Sequence, residues 1–341
     1  MKDTSHDLQA QALTILPVLT EALLTVHYHK ISHQRMSQSS QVESYSYQGL
    51  TCAQHPKFGS VMIKWSLVSG TDDANSSIFN QGTSDLGHEI TVLQTLDESL
   101  STQAQHNTAN LISITPPILA YDTLKISVLN QHHLTILVMP YYPNGSLTRW
   151  LKDKESPLLS VYQKQQFIIE VAHLITNLHR EGWLHNDIKP SNILLDNFLS
   201  NSVDNGSTAP RLLLTDFALA QRLDDNSNVR SAGTPAYRAP ELWQGRSATQ
   251  QSDIYAFGVM MYEILTGKRP FKIIPQSNEP LKDWAIEHCQ RSISALPKEY
   301  CCYQNIINKT LAKRAEQRYK NMEEVLLDLK VLLIILIKRL N

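Results

Sequence analysis

Glycine is scarce in this chain of 341 residues: there are 12, where ordinary usage would supply about 24. No two glycines stand two positions apart, which excludes a G-x-G dinucleotide fingerprint. One G-x-x-x-x-G spacing occurs, Gly82 to Gly87, but it continues into His88 where a phosphate-cradling P-loop needs lysine. Both glycine-built phosphate cradles are therefore absent. Charge is also sparse, at 18% Asp, Glu, Lys and Arg with a formal net charge of −1. That balance argues against a nucleic-acid binder relying on bulk positive charge. Long apolar runs are missing too. Val331–Ile337 is seven residues between Lys330 and Lys338, against the roughly 20 that a spanning helix needs, so a closing core helix is expected there. The N-terminal stretch around Leu13–Leu19 is amphipathic and lacks a signal-peptide core and cleavage site. Four cysteines (Cys52, Cys289, Cys301, Cys302) form no C-x-x-C pair, and the vicinal two suit a disulfide poorly. Free thiols in a reducing cytoplasm are the expectation.

What is present is enough apolar content, 42%, to build a large core. The length suits two domains or one two-lobed unit. Residues 22–67 alternate in the manner of strands, with polar turns expected at Ser37–Gln41 and Thr51–His55 and a strand at Phe58–Trp65. Thr71–Ser84 and Asp196–Pro210 read as loops. Leu86, Ile90, Leu93, Leu96 and Leu100 repeat at helical spacing across Asp85–Leu100. Leu111–Leu119, interrupted by Pro116 and Pro117, and Leu134–Met139 read as strands. Tyr162–Glu181, Ser252–Thr266, Leu281–Ser292 and Asn321–Ile337 read as helices. Strands first and helices afterwards imply an α+β, two-lobed architecture.

The chemistry concentrates in His185-Asn186-Asp187-Ile188-Lys189-Pro190-Ser191-Asn192, followed by the apolar Ile193-Leu194-Leu195. A carboxylate, an ammonium two residues on and an amide five residues on can place a base, a phosphate-neutralising cation and a metal ligand around one point. This segment resembles the catalytic loop of eukaryotic-type Ser/Thr protein kinases, H-R-D-x-x-x-x-N. Further segments follow in the family's order: Asp216-Phe217-Ala218 resembles D-F-G, and Gly233-Thr234-Pro235-Ala236-Tyr237-Arg238-Ala239-Pro240-Glu241 resembles G-T-x-x-Y-x-A-P-E. Ser252-Asp253-Ile254-Tyr255-Ala256-Phe257-Gly258 resembles the start of the long central helix of the large lobe. Upstream, Val61-Met62-Ile63-Lys64 resembles V-A-I-K and Glu89-Ile90-Thr91-Val92-Leu93 the glutamate-bearing helix.

The resemblance implies a bilobal protein-kinase-like fold with a small β-rich N-lobe and a larger helical C-lobe. It implies a helical extension at 1–21, an N-lobe at 22–139, a hinge at 139–143, a C-lobe at 140–330 and an apolar helix end at 331–341. It implies Asp187 as the carboxylate that orients and deprotonates the substrate hydroxyl, and Lys189 as the neutraliser of the transferring phosphoryl group. Asn192 and Asp216 become ligands of Mg²⁺ or Mn²⁺, while Lys64, paired with Glu89, clamps the ATP phosphates. Around adenine it places Met139 as gatekeeper, the Pro140 carbonyl, the Tyr142 N–H and an apolar floor at Leu194. Arg318 pairs with Glu241. Lys189 together with Thr234 points to a Ser/Thr acceptor in a protein substrate.

Three departures stand out. Where the family carries L-G-x-G-x-F-G-x-V-Y, the chain has Met36–Tyr45 with Ser37, Ser39 and Val42 at the glycine positions, so serine hydroxyls are the substitute phosphate donors. Ala218 replaces the D-F-G glycine and should restrict a flip that needs positive φ. Asn186 replaces the arginine that receives an activation-loop phosphate, so activity should not depend on phosphorylating Ser227, Ser231 or Thr234. Two functions compete on these residues: an active ATP- and Mg²⁺-dependent Ser/Thr kinase, favoured by the retained Lys64, Glu89, Asp187, Asn192 and Asp216, and a pseudokinase scaffold, favoured by the departures. The compact chain resembles stand-alone bacterial kinases of the eukaryotic type, acting in the cytoplasm on ATP and protein, not nucleic acid, and without a transmembrane segment.

Overall fold

The computed structural model describes residues 3–41, 44–68, 85–106, 113–126, 132–152, 159–196, 211–225, 233–274 and 276–340. The chain divides into two compact units, one comprising Met1–Leu111 with Pro116–Tyr141 and the other Ile112–Thr115 with Tyr142–Asn341.

The first unit is a five-stranded antiparallel sheet with two helices. Its elements are α1 (Asp3–Thr25), β1 (His29–Gln41), β2 (Ser44–His55), β3 (Gly59–Val68), α2 (Asp85–His106), β4 (Ala120–Ile126) and β5 (His132–Pro140), with strand order β1-β2-β3-β5-β4. Alternation along β3 divides its side chains between the faces. Val61, Ile63, Trp65 and Leu67 join Ile15, Leu19 and Leu23 of α1 in one buried cluster. The N-terminal helix is thus built into the core of this unit rather than extending from it, and it runs past residue 21. Gly49 of β2 is required by this packing, because a Cβ there would lie 2.3 Å from the Trp65 ring.

Two sequence expectations fail here for one reason. Ser37–Gln41 and Thr51–His55 are not turns but paired strand, in register with Gln48–Ser44 and Ile63–Gly59. Ladder hydrogen bonds involve the backbone, so polar side chains that face away from the core do not prevent them. The turn falls instead at residues 56–58, followed by Gly59 at φ +71°. Likewise 113–119 contains no strand; the strand is β4, which starts at Ala120. Pro116 and Pro117 have no N–H to give a ladder. The loop expected at Thr71–Ser84 lies outside the described residues, as does that at Asp196–Pro210 apart from Asp196, which ends β7.

The second unit contains α3 (Leu147–Lys152), α4 (Val161–Arg180), β6 (Trp183–Leu184), β7 (Ile193–Asp196), β8 (Arg211–Leu214), β9 (Gln221–Arg222), α5 (Pro240–Trp243), α6 (Gln250–Thr266), α7 (Pro280–Gln290), α8 (Gln304–Thr310) and α9 (Met322–Leu340). Helix α4 starts at a capping box, with Gln163 N–H donating to Ser160 Oγ and Ser160 N–H to Gln163 Oε1. Helix α6 is buried on every side from Ser252 to Leu265, which makes it the central helix of the unit. It stops at Gly267, in the left-handed region at φ +70°. Residues 114–115 belong to this unit, and the Ile114 carbonyl accepts the Leu214 N–H at 2.7 Å. The expected core helix at Val331–Ile337 is a correction in part: α9 is continuous across 330–331, but Val331, Ile334 and Ile335 are exposed. The buried residues of α9 are the earlier Met322, Val325, Leu326 and Leu329. No helix among the described residues is long and apolar enough to cross a membrane.

Candidate active site

In the second unit, the β7–β8 ladder determines which loops meet. Ile193 pairs with Leu214, and at the end of the ladder the Thr215 N–H donates to the Asn192 carbonyl at 3.0 Å. The segment that ends at Asn192 and the one that begins with Asp216 therefore start side by side. His185 bridges them as well, with Nε2 3.2 Å from the Thr215 carbonyl and its ring 4.9 Å from that of Phe217.

Three of the residues singled out in the sequence converge on the carboxylate of a fourth, Asp187. Asp187 Oδ1 accepts the Thr234 N–H at 2.9 Å and the Thr234 hydroxyl at 2.7 Å. Lys189 Nζ pairs with Asp187 Oδ2 and donates to Thr234 Oγ1 at 2.7 Å. Asn192 Nδ2 donates to the Asp187 carbonyl at 3.0 Å and reaches Oδ2 at 3.3 Å. The carboxylate is thus oriented from three sides and still partly open, at 9% exposure, which is the arrangement of a positioned base.

Two residues of this site have positive φ, Asn186 at +63° and Asp216 at +69°. Side chains bearing Cβ seldom occupy that region, although Asn and Asp tolerate it best. Ala218, which stands where the family has glycine, is not among the residues of positive φ; Asp216 takes the left-handed conformation. Gly233 is needed for space, since a Cβ would sit 2.9 Å from the Asn186 carbonyl.

The 185–192 loop hangs from a residue to which the sequence motif gave no role. Asp253 of α6 is 1% exposed and accepts the His185 N–H at 2.9 Å, the Asn186 N–H at 3.0 Å and a 2.9 Å contact from His179 Nε2. Burial alone would raise its carboxyl, but the His179 and backbone hydrogen bonds hold it below the ordinary range. The signal was available: Asp253 is an acid directly ahead of the uncharged run Ile254–Tyr262. Glu241 is held in the same way. Arg318 grips it with two bonds, Nη1 to Oε1 at 2.8 Å and Nη2 to Oε2 at 2.7 Å, as the resemblance implied, and Ser252 Oγ adds a third at 2.8 Å. Burial opposes ionisation of Glu241, yet these partners keep its carboxyl low. Tyr237 donates its hydroxyl to Glu263 Oε2 at 2.5 Å; burial first and that carboxylate second push its ionisation well up.

Asn192 and Asp216 suit a hard cation. With Nδ2 turned to Asp187, Asn192 retains an amide oxygen, and Asp216, a carboxylate, follows Thr215, whose N–H bonds the Asn192 carbonyl. Two oxygen donors suit Mg²⁺, which completes its shell from phosphate and water. No group of three or more His, Cys, Asp or Glu residues that could hold a metal occurs among the described residues.

In the first unit, Lys64 of β3 projects from the face opposite α1 and pairs with Glu89 of α2 at 2.5 Å, with the Glu89 side chain 1% exposed. Such a buried pair holds only because each charge neutralises the other. Met139, 5% exposed, pairs with Met62, and Pro140 ends β5 opposite Val61. Ser37 and Ser39 lie in β1, where the Ser37 hydroxyl donates to the Gln48 carbonyl at 3.5 Å and Ser39 pairs with Ser46. Val42 lies outside the described residues, as do Ser227 and Ser231. In the second unit Tyr142 accepts the Gly145 N–H at 3.0 Å, and burial, with Asp196, raises its phenol to about 12. Leu194, half-buried, bridges to Ser146.

Residues 110–328 match the protein kinase domain family model. The chain is 36% identical over 156 residues to L-type lectin-domain containing receptor kinase S.1 of Arabidopsis thaliana, covering 44% of this chain and 22% of that protein. It is 29% identical over 199 residues to probable serine/threonine-protein kinase PknB of Lactococcus lactis, covering 56% and 29%. Probable serine/threonine-protein kinase gdt4 of Dictyostelium discoideum is 30% identical over 145 residues, covering 42% and 8%. The matches thus span less than a third of these relatives. The model covers more than half of this chain, and the chain belongs to the protein kinase domain family. Its fold class is that of the family, β-rich in the first unit and helical in the second. Lys64 and Glu89 precede the matched residues.

Proposed function

We propose that this chain transfers the γ-phosphoryl group of ATP to Ser or Thr hydroxyls of a protein substrate. The observation that carries this reading is the set of bonds that Lys189, Asn192 and Thr234 make to Asp187. Asp187 accepts the hydrogen bond, and then the proton, of the acceptor hydroxyl as its oxygen attacks the γ-phosphorus and the bond to the β–γ bridging oxygen breaks. Lys189 neutralises charge that develops on the transferring group. Mg²⁺ held by Asn192 and Asp216 would offset charge on the β- and γ-phosphates. Lys64, kept in place by Glu89, would hold the α- and β-phosphates, with Ser37 as a hydroxyl donor where the family uses glycine.

For adenine, Met139 and Leu194 supply apolar contacts, Pro140 a carbonyl and Tyr142 an N–H. The Tyr141 N–H is already engaged by the Ser60 carbonyl at 3.1 Å, whereas that of Tyr142 has no partner among the described residues. The proposed location is the cytoplasm, supported by four cysteines that are all free. The test is transfer of label from ATP with Mg²⁺ or Mn²⁺ to the protein itself and to a generic Ser/Thr substrate. Asp187→Asn and Asp216→Asn should each abolish it. Equal label in all three proteins would instead assign the chain to the scaffold class.

A further inference from the structure

A second concave site opens beside the catalytic loop in the same unit. It is a cavity of about 460 Å³ lined by Lys268, Arg269, Lys272, Ile273, Trp284 and Glu263. Three cations face one carboxylate, and that carboxylate, 4% exposed, already accepts the Tyr237 hydroxyl. None of the three cations pairs with a carboxylate among the described residues. Three cations against one carboxylate leave the cavity lining with an excess of positive charge that an anionic group would offset.

The cavity wall is also held in shape. The Gly267 N–H donates to the Glu263 carbonyl at 2.8 Å, and Thr266 Oγ1 both donates to the Lys268 carbonyl at 2.8 Å and accepts the Lys268 N–H at 3.2 Å. Phe271, 1% exposed, anchors the far end of the segment, and Arg269 lies 5.4 Å over the Trp284 ring. A guanidinium stacked on an indole keeps its N–H edge free for a carboxylate.

The connection to the catalytic carboxylate is short. Thr234 N–H bonds Asp187, and three residues later, through the 3₁₀ turn Pro235–Tyr237, the Tyr237 hydroxyl bonds Glu263 in the cavity wall. A 3₁₀ turn rises about 2 Å per residue, so with the tyrosine side chain the cavity lies on the order of 10–15 Å from Asp187. An extended peptide covers that in about three or four residues.

We infer that this cavity receives an acidic side chain of the protein substrate, three or four residues from the phosphorylated Ser or Thr, through Lys268, Arg269 and Lys272. The inference rests on the proposed transferase reading and narrows it: the substrate is an acidic segment, not a basic one. Charge complementarity of this kind selects partners and orients them as they dock.

The test uses Ser-centred peptide libraries with Glu, Ala or Lys fixed at each of the four positions on either side of the acceptor. The wild-type chain should prefer Glu over Lys by about tenfold in kcat/KM at a position three or four residues away. That ratio should collapse or invert in the Lys268→Glu/Arg269→Glu/Lys272→Glu variant, and shrink in Lys272→Glu alone, whose exposed site tolerates replacement if the triple variant fails to fold. A parallel arm measures fluorescence anisotropy of labelled Glu-containing and Lys-containing peptides, which requires no transfer. Preferential binding of the Glu peptide, lost in the variants and weakened by added salt, supports the inference even if no label is transferred, a result that would remove the transferase reading alone. Equal binding of the two peptides, preference for lysine, or a Glu preference unchanged by Lys272→Glu and by the triple reversal overturns it.

Discussion

The hydroxyl of Thr234 stands between the two charged groups of the catalytic loop, accepting from Lys189 Nζ at 2.7 Å and donating to Asp187 Oδ1 at 2.7 Å. It is the link between the segment ahead of α5 and the proposed base. Thr234→Val removes a hydrogen bond to a charged group, a loss of about 1.5–3 kcal/mol. The expected result is a fall in kcat of about tenfold to a hundredfold, with Thr234→Ser restoring most of it. Steady-state kinetics on the three proteins, with circular dichroism to confirm folding, checks this.

Asn186 supports a second prediction. Its Nδ2 donates to the Leu219 carbonyl at 3.0 Å, so a neutral side chain already ties the catalytic loop to the segment after Asp216. An arginine there would need an anion; an amide does not. Ser227→Ala and Ser231→Ala should therefore leave turnover within about twofold of wild type. A large loss in either would show that phosphorylation of that segment matters after all.

The Arg318–Glu241 pair lies almost fully out of water, at 4% and 6% exposure. Removing one partner leaves the other charge buried and alone, so Arg318→Ala should cost about 3–5 kcal/mol of stability. The double replacement Glu241→Leu with Arg318→Met should cost much less, because neither charge remains. Urea denaturation of Arg318→Met, Glu241→Leu and their combination forms the cycle that reads this coupling.

His288 makes stability depend on pH. Its ring is fully buried beside Trp243, Tyr255, Phe271 and Trp284, and bonds the Tyr255 hydroxyl through Nδ1 at 2.9 Å. Burial, then the Lys313 charge, lowers it from 6.5 to about 3. Between those values the unfolded chain binds a proton that the folded chain refuses, so the contribution falls as pH drops through 6.5 towards 3. From about pH 7.5 to about pH 5.5 this amounts to about 1.4 kcal/mol. His288→Gln should flatten the stability profile by that much relative to wild type; parallel profiles would contradict it.

Much of the second unit was legible in the amino-acid order. Its motif residues stand in the family's order, and the β7–β8 ladder sets two of those segments side by side; Asp187, Lys189, Asn192 and Thr234 meet as their types suggested. Helix boundaries at α4, α6 and α7 fall within two residues of those read from apolar spacing. In the first unit the polar strands β1 and β2 were misread, because their order depends on backbone pairing with neighbours distant in sequence and not on their own side chains. The outward-facing apolar residues of α9 were misread for the complementary reason: an apolar run records the capacity to be buried, not the presence of something to bury it.

The sequence by itself determined the chemical inventory: which carboxylates, ammonium groups and amide oxygens exist, their spacing, and the absence of glycine-built phosphate cradles. Only the tertiary structure decided that Asp253 suspends the catalytic loop, that the left-handed strain falls on Asn186 and Asp216 rather than Ala218, and that three cations surround one cavity beside Tyr237. Each of these depends on groups brought together across tens of residues. Burial then sets their energetics, because a buried carboxylate is tolerated only where folding has delivered its donors.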